Sequence, residues 1–387
     1  MVKAIKVMLI PNNVQKTKMF QYAGASRFAY NWALAREKEN YEKGGKFISD
    51  SELRKEFTKL RHSDEYAWLL NISNNVTKQA IKDACTAYKN FFKGLQKFPR
   101  FKSKKRSMPK FYQDNVKIQF SNTHVKFEGF SSSRKANKQK MNWVRLAEHG
   151  RIPTDVKYMN PRISFDGLNW WISVCVEFPD CKETLNDDGV GIDLGIKDLA
   201  VCSDGTKYKN INKSQKVKKL EKQKRRLQRS ISRSYEKNKK GESYCKTNNV
   251  IKKEKLLLKR NHRLTNIRKN YLNQTTSEIV SRKPRFICIE DLNVSGMMKN
   301  RHLSKAVQAQ GFFWFRKQLE YRCSDKGIQL IVADRFYPSS KLCSCCGNIK
   351  KDLKLSDRVY RCACGNMIDR DFQASINLKT YGEKFAS

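Results

Sequence analysis

The sequence is poor in acidic residues and contains no long apolar run. Lys and Arg number 80 against 37 Asp and Glu, which gives a formal net charge of +43. This excess is spread over most of the chain and favours a polyanionic partner. A membrane surface is the competing interpretation. However, no apolar run reaches the roughly 18 residues of a spanning helix, and no secretory leader precedes the first predicted strand. We therefore expect nucleic acid, and no membrane, as the partner.

The sequence also lacks the cysteine pattern of a disulfide framework, although it has twelve cysteines. Five of them crowd into residues 343–364, which indicates a reduced compartment and a metal site. The other seven are scattered singly along the chain: Cys85, Cys175, Cys181, Cys202, Cys245, Cys288 and Cys323.

The crowded cysteines form two pairs, each followed by glycine, which is a pattern typical of a zinc knuckle. The predicted ligands of one structural Zn²⁺ are Cys343, Cys346, Cys362 and Cys364. The second pair is CxC rather than the usual CxxC, so Cys345 is either a spare thiol or a replacement ligand. Four thiolates leave no open coordination position, which favours a zinc that folds a ribbon and performs no chemistry.

The N-terminal half alternates between strand and helix patterns. Lys3–Ile10 reads as a strand, residues 20–43, 51–60 and 76–97 read as helices, and short alternating runs return over 116–176. If the first strand joins the later ones, the helices are an insertion in a β-barrel. An apolar stripe on the predicted helix 76–97 is expected to lie in a helix-bundle core. Its members are Ile81, Cys85, Tyr88 and Phe92.

Two basic stretches are candidate nucleic-acid contacts. Residues 98–106 are either a solvated hinge or a strip along a phosphate backbone with Phe rings available to stack. Residues 213–272 are predicted to form a basic helical hairpin with a narrow apolar seam. Such a hairpin repels itself unless phosphates neutralise it, so nucleic-acid contact is favoured over a solvated coiled coil. One phosphate contact is predicted at position 99, in the dipeptide Pro99-Arg100. The other predicted contacts are Lys102, Lys104, Lys105, Lys222, Arg225, Arg226 and Arg229.

The C-terminal half places acids at the ends of apolar strands. Asp193 interrupts the strand pattern of 189–201, and Glu290 ends the strand Phe286–Glu290. A carboxylate in such a place needs a positive partner, commonly a metal ion. A helix Phe312–Tyr321 that covers a sheet and a strand Ile328–Ala333 buried on both faces complete an α/β layer.

A third acidic cluster lies in Asp369-Arg-Asp371, before the last helix. Phosphodiester cleavage without a nucleophilic side chain needs divalent ions held by carboxylates, and oxygen ligands select Mg²⁺ or Mn²⁺. Asp193, Glu290 and one acid of this cluster fit that requirement. Capping of the helix is the alternative role for either acid. We interpret Asp369 as the cap and Asp371 as the metal ligand.

These motifs together resemble the TnpB family of transposon-encoded, RNA-guided DNA endonucleases, which are similar to compact type V CRISPR effectors. The motifs are GIDLGIKDLAV, FICIEDLNVSGM, the two cysteine pairs and DRDFQASINL. The resemblance implies a multidomain α/β fold whose nuclease core is RuvC-like, of the RNase H type. It places the catalytic acids on Asp193, Glu290 and Asp371. Gln373 and Ser375 depart from the usual Asn and Ala.

The resemblance also implies a domain order and partners. The expected ranges are a wedge β-barrel at 1–15 and 107–180, a helical recognition insertion at 16–106, a RuvC-like core at 181–336 and 367–387, and a zinc ribbon at 337–366. The expected partners are a guide RNA from the transposon end and target DNA beside a transposon-adjacent motif. One protein monomer would bind one RNA in the cytoplasm, near the nucleoid, of a bacterium or archaeon.

Two other functions compete with this expectation. One is a transposase of the same fold that joins strands without RNA, and the other is a zinc-containing regulator with a vestigial nuclease core. Phosphate contacts carry no sequence information, and the chain has no finger array or recognition-helix motif. A bound RNA would supply the missing specificity, which favours the guided nuclease.

Overall fold

The computed structural model describes residues 1–131, 140–179, 183–241, 243–354 and 356–386. The chain divides into two compact units, Met1–Pro179 and Asp180–Ser387. Residues 180–182, which include Cys181, lie outside the described residues. Within the described ranges, no helix is both long and apolar enough to cross a lipid bilayer.

The first unit is built on a seven-stranded antiparallel sheet. Its strands are β1 Val2–Ile10, β2 Lys110–Tyr112, β3 Gln119–Phe120, β4 His124–Lys126, β5 Trp143–Leu146, β6 Tyr158–Phe165 and β7 Trp170–Glu177. Their order is β2-β6-β7-β1-β5-β4-β3, so the first strand joins the later ones and lies in the middle of the sheet. Beyond β2, Gln113 Oε1 accepts the N–H of Glu128, which follows β4 (3.3 Å). This bond connects the segment after the edge strand β2 with the segment after β4.

The helices of this unit are inserted between β1 and β2. They are α1 Asn13–Glu42, α2 Asp50–Arg61 and α3 Asn74–Phe92, with a 3-10 turn at Asp64–Asn71. Capping boxes at Asn12 and Ser49 fix the starts of α1 and α2. Asp83 on α3 binds the Arg162 guanidinium of β6 through both oxygens (2.6 and 3.0 Å). Helices and sheet therefore share one apolar core.

The apolar stripe of α3 is only partly buried. Ile81, Cys85 and Tyr88 lie in the core, and Tyr88 Oη donates to Leu34 O of α1 (3.1 Å). Phe92, one turn further on, is 59% exposed, so the prediction of a core position was wrong there. The spacing of apolar residues predicts which face of a helix is buried. It does not predict how far along that face a neighbouring helix extends, because that depends on the tertiary packing.

The second unit contains a five-stranded mixed sheet. Its strands are β8 Val190–Leu194, β9 Asp198–Cys202, β10 Lys207–Lys209, β13 Phe286–Glu290 and β14 Gln329–Ala333. The order is β10-β9-β8-β13-β14, with β8, β13 and β14 parallel to one another. On β14, Ile331 faces one core cluster while Leu330 and Val332 face another, which confirms that the strand is covered on both sides.

A helical hairpin joins β10 to β13, as the sequence predicts. Its helices are α4 Gln215–Lys237 and α5 Asn248–Ser281, and the tip pairs β11 Lys239–Lys240 with β12 Ser243–Tyr244. Val217, Leu220 and Leu264 form the buried seam. At the base, Arg268 Nε donates to Asn212 Oδ1 (2.7 Å) and Tyr271 Oη donates to Lys209 O (2.6 Å). These bonds fix the hairpin to the edge of the sheet.

Three helices follow β13, and the last of them covers one face of the sheet. They are α6 Val294–Lys299, α7 Ser304–Gln310 and α8 Phe312–Lys326. Phe312, Phe315, Leu319 and Cys323 are buried, which confirms the predicted core helix. On its outer face Phe313 and Trp314 remain exposed.

The chain ends with a cysteine-bearing ribbon and a final helix. The ribbon contains the short pair β15 Val359–Arg361 and β16 Met367–Asp369, and α9 spans Arg370–Glu383. Helix α9 lies against β8 and β13 on the face opposite α8. Gly191 on β8 makes this approach possible, since a Cβ there would lie 2.0 Å from Ser375 O.

Candidate active site

Two carboxylates lie side by side at the ends of parallel strands. Strands β8 and β13 pair with Ile192 opposite Ile289, so the next residues, Asp193 and Glu290, occupy neighbouring positions. Asp193 is 9% exposed, and Glu290 is half-buried. The carboxyl ends of parallel strands are where α/β sheets place their ligand sites.

The start of α9 adds the third carboxylate. Asp369 Oδ1 accepts the N–H of Phe372 (3.0 Å) and caps the helix, which confirms the predicted capping role. Asp369 Oδ2 also lies 3.6 Å from Lys207 Nζ. Asp371, in the first turn, is close enough to act electrostatically on Asp193. Asp193 and Glu290 thus lie at neighbouring strand ends, Asp371 acts on the charge of Asp193, and Asp369 caps the helix.

Asp193 lies in an electrostatic environment that disfavours its charged form. Burial raises the pKa of the Asp193 carboxyl well above its ordinary value, and the charges of Glu290 and Asp371 raise it further. The Arg370 guanidinium opposes this shift in pKa. A bound cation would offset the repulsion between carboxylates that lie close together in a buried site. The carboxylate oxygens of these acids fit a hard divalent ion.

Two neighbouring side chains orient these acids. Ser339 is 5% exposed, and its Oγ donates to Glu290 Oε1 (2.7 Å). Arg370 Nη2 donates to Asp371 Oδ1 (3.1 Å). Sequence reasoning missed both residues. The motif Asp369-Arg-Asp371 could have drawn attention to Arg370, whereas nothing in the sequence connects Ser339 with Glu290.

Asp291, adjacent to Glu290, has a separate role. Its carboxylate pairs with Arg335 Nη2 (2.5 Å) and Arg316 Nη1 (3.0 Å). Hydrogen bonds from Arg335 and then Arg316 lower the pKa of the Asp291 carboxyl. An acid already paired with two guanidinium groups is a poor candidate for a further metal ligand, so Glu290 is the acid available at the end of β13.

The four predicted zinc ligands also come together. Their sulfurs, from Cys343, Cys346, Cys362 and Cys364, lie within 4.8 Å of one another, and Cys345 is exposed outside the group. Burial acts to raise the pKa of the Cys343 thiol, but backbone N–H groups and the Asn366 amide lower it to about 6. A thiol that ionises readily is suited to bind a metal.

Amide side chains connect this cysteine cluster to α9. Asn366 Nδ2 donates to Cys343 Sγ (3.4 Å) and to Gln373 Oε1 (2.9 Å). Gln373 Nε2 and Asn377 Nδ2 both donate to Leu342 O (2.9 and 2.7 Å). The helix that carries Asp371 therefore also holds the loop in front of the cysteines.

The predicted nucleic-acid residues differ in their exposure. On α4, Lys222, Arg225, Arg226 and Arg229 are all exposed. In the strip, Arg100, Lys104 and Lys105 are exposed, but the Lys102 amine lies 3.0 Å from the ring centre of Tyr30. Burial, followed by the charge of Lys110, lowers the pKa of Lys102 to about 7. Lys102 is accordingly the least suited of these eight basic residues to hold a phosphate.

The contact predicted at position 99 was wrong. The residue there is Pro99, which is buried and uncharged, and its backbone nitrogen has no hydrogen to donate to a phosphate oxygen. The positively charged residue of this dipeptide is Arg100, which is exposed. The candidate contact therefore moves from position 99 to Arg100, one residue further along the strip.

Comparison with known proteins shows the family. The chain is 31% identical, over 379 residues, to the protein named "Putative RNA-guided DNA endonuclease InsQ" of Escherichia coli (strain K12). That match covers 93% of this chain and 87% of the relative. The chain belongs to the TnpB family. A Streptomyces pristinaespiralis member, named "Putative RNA-guided DNA endonuclease", is 28% identical over 98% of this chain and 89% of its own length.

Family models for TnpB-type proteins match the segments that carry the site. A model described as "Probable transposase" matches residues 173–301, which contain Asp193 and Glu290. A "Cas12f1-like, TNB domain" model matches 312–378, which contain the cysteine cluster and Asp371. A "Helix-turn-helix domain" model matches 1–46. In this TnpB protein those residues form β1 and one continuous helix, α1.

The fold of this TnpB protein is shared with a solved effector structure. The structure titled "Cryo-EM structure of the Cas12f1-sgRNA-target DNA complex" matches with a TM-score of 0.61 at 11% identity. The match covers 98% of each chain. This similarity confirms the predicted fold class.

Proposed function

We propose that this protein is an RNA-guided, metal-dependent DNA endonuclease with a RuvC-like site. The observation that carries the proposal is that Asp193 and Glu290 end neighbouring parallel strands while Asp371, from a helix far away in sequence, acts on the charge of Asp193. The names of the family relatives support RNA guidance and DNA as the substrate. Target DNA would be read beside a short transposon-adjacent motif, by one protein monomer bound to one RNA.

The three acids would hold Mg²⁺ or Mn²⁺. When bound, such ions activate water for attack on the scissile phosphate and stabilise the leaving oxygen. The chain's own residues set the geometry for this reaction. Ser339 would fix the rotation of the Glu290 carboxylate through its hydrogen bond, and Arg370 would orient Asp371 through its own. Asp193 is buried, which keeps bulk water from competing for its oxygens.

The basic surface would hold nucleic acid by charge. Lys222, Arg225, Arg226 and Arg229 are exposed along the hairpin, and within the described part of the chain they pair with no acidic side chain. Such residues can neutralise phosphates of any sequence. In this proposal the residues of the strip, Arg100, Lys104 and Lys105 first among them, act in the same way, and base pairing with the RNA supplies the specificity.

Guide dependence tests the proposal directly. RNA-free protein, and protein assembled with two different guides, would be incubated with Mg²⁺ and a plasmid that carries both targets beside a randomised flank. We expect cleavage only with RNA, at the target that the guide matches. Cutting that ignores the guide, or strand transfer by RNA-free protein, would instead support a transposase.

We further propose that Cys343, Cys346, Cys362 and Cys364 hold one structural Zn²⁺. Elemental analysis should find about one zinc per chain in the wild type and in Cys345→Ser, but much less in Cys364→Ser. Zinc loss should also weaken cleavage, because the cluster is linked through Asn366 and Gln373 to the helix that carries Asp371. Zinc retained in Cys364→Ser and lost in Cys345→Ser would require a different ligand set.

A further inference from the structure

The first unit contains a pocket that the nuclease chemistry does not explain. The final turns of α1 and α3, with the chain segments that follow them, enclose about 210 Å³. Aromatic side chains dominate its lining: Phe47, Tyr88, Phe91, Phe92 and Phe98. One carboxylate, that of Glu37, also lines the pocket.

Several of these rings are exposed although they are apolar. Phe92 is 59% exposed, Phe98 49% and Phe47 37%. Phe92 is stacked nearly parallel to the buried Tyr88, with ring centres 6.3 Å apart, and Phe98 meets Phe91 edge-on at 5.2 Å. The rings therefore form an ordered surface that leaves aromatic faces open to solvent. Such a patch marks a binding site more often than chance exposure.

Glu37 contains an unpaired buried oxygen. The residue is 4% exposed, and its Oε2 accepts the N–H of Ile48 (3.3 Å). Its Oε1 is fully buried and has no hydrogen-bond partner among the residues that the structure describes. A buried acceptor without a donor destabilises the fold, and such groups are rare in native proteins. A ligand N–H group would satisfy this oxygen once the pocket side chains that cover it move aside.

Positive charge surrounds the opening of the pocket. The exposed Lys38 lines it, and Lys89 Nζ lies 5.4 Å from the ring centre of Phe47. Lys93 and Lys97 are exposed on the segment between Phe92 and Phe98. Open aromatic faces with surrounding lysines are the features that bind unstacked bases together with their phosphates.

We propose that this pocket binds one unstacked nucleobase of the nucleic acid that the protein holds, an inference that rests on the proposed function. The base lies against Phe92 and Phe98 and donates an exocyclic amino N–H to Glu37 Oε1. Adenine, cytosine and guanine carry such a group. Uracil and thymine can offer only the ring N3–H, which lies between two carbonyl oxygens that the carboxylate repels. The pocket thus distinguishes amino-bearing bases from the other two.

Ultraviolet crosslinking of the assembled complex tests the proposal. The full chain would be assembled with its RNA, with and without target DNA, and the crosslinked peptides would be mapped with one strand labelled at a time. We expect crosslinks at Phe92 or Phe98. A crosslink to labelled RNA identifies the guide as the source of the base, and a crosslink to labelled DNA identifies the target.

Two pocket variants and one control complete the test. Phe92→Leu removes the open ring and should weaken binding of the crosslinked strand about fivefold or more, since stacking on one aromatic is worth about 1–3 kcal/mol. Glu37→Gln should reduce the preference for amino-bearing bases at the crosslinked position. Phe385→Leu, which removes a ring of similar exposure (56%) in the other unit, should change neither property.

The outcomes separate this proposal from the proposed function. If guided cleavage occurs but neither strand crosslinks to the pocket and Phe92→Leu binds normally, the pocket proposal is wrong and the nuclease proposal stands. If the wild type shows no guided cleavage, the nuclease proposal is wrong. Phe92 is on the surface, so its variant remains informative even if Glu37→Gln fails to fold.

Discussion

Asp371→Ala should reduce the rate of DNA cleavage at least about a hundredfold, whereas Asp369→Ala should keep substantial activity. Residues that only orient a metal ligand typically cost 10–100-fold when they are replaced, so loss of a ligand itself should cost more. Asp369 holds the N–H of Phe372 (3.0 Å), and its loss removes a helix cap worth about 1 kcal/mol. Cleavage by equal amounts of each RNA-bound variant would be measured.

Asp193→Ala and Glu290→Ala should behave as Asp371→Ala does. All three variants should still bind RNA and target, because the acids act at the chemical step. Binding measured by gel shift is therefore the control for folding. An inactive Asp369→Ala together with an active Asp371→Ala would overturn the assignment of the third ligand.

Gly191→Ala should separate α9 from the sheet and abolish cleavage without any change to a carboxylate. The added Cβ would lie 2.0 Å from Ser375 O and 2.3 Å from Lys379 N, both backbone atoms that cannot rotate away. The expected destabilisation of the second unit is about 3 kcal/mol or more, at the upper end for overpacking. Hydrogen exchange of the β8 and α9 amides would measure it locally.

Gly24→Ala is the matched control for that substitution. Gly24 lies within α1, and a Cβ there would have nothing within 4 Å. Alanine should stabilise the helix by up to about 1 kcal/mol and leave cleavage unchanged. If Gly191→Ala exchanges and cleaves like Gly24→Ala, the close contact between α9 and β8 is not needed for the site.

The site could be predicted from the sequence where the charge of a residue was unfavourable next to its neighbours in the chain. Asp193 conflicts with an apolar strand, and the basic hairpin repels itself, so both patterns indicate a partner that the chain itself lacks. The choice between Asp369 and Asp371 depended on the rule that a carboxylate before a helix caps it. The structure confirms that cap.

Other features could not be predicted, because they depend on how separate segments meet. Ser339 donates to Glu290 only because the turn after β14 returns over the end of β13. The exposure of Phe92 depends on where α1 stops covering α3, and the unpaired Glu37 oxygen depends on the same packing. The periodicity of apolar residues in the sequence does not show where one element stops covering its neighbour.

The position of the hairpin has a consequence for how the molecule folds. Strands β8 and β13 pair in parallel although the whole helical hairpin lies between them in sequence. Pairing between segments so far apart in sequence is slow. A hairpin that has already closed at its base, through Arg268 and Tyr271, shortens the effective loop and reduces the entropy lost on pairing. Because the charges of the hairpin oppose that closure, we expect a polyanion that neutralises them to speed the pairing of β8 with β13.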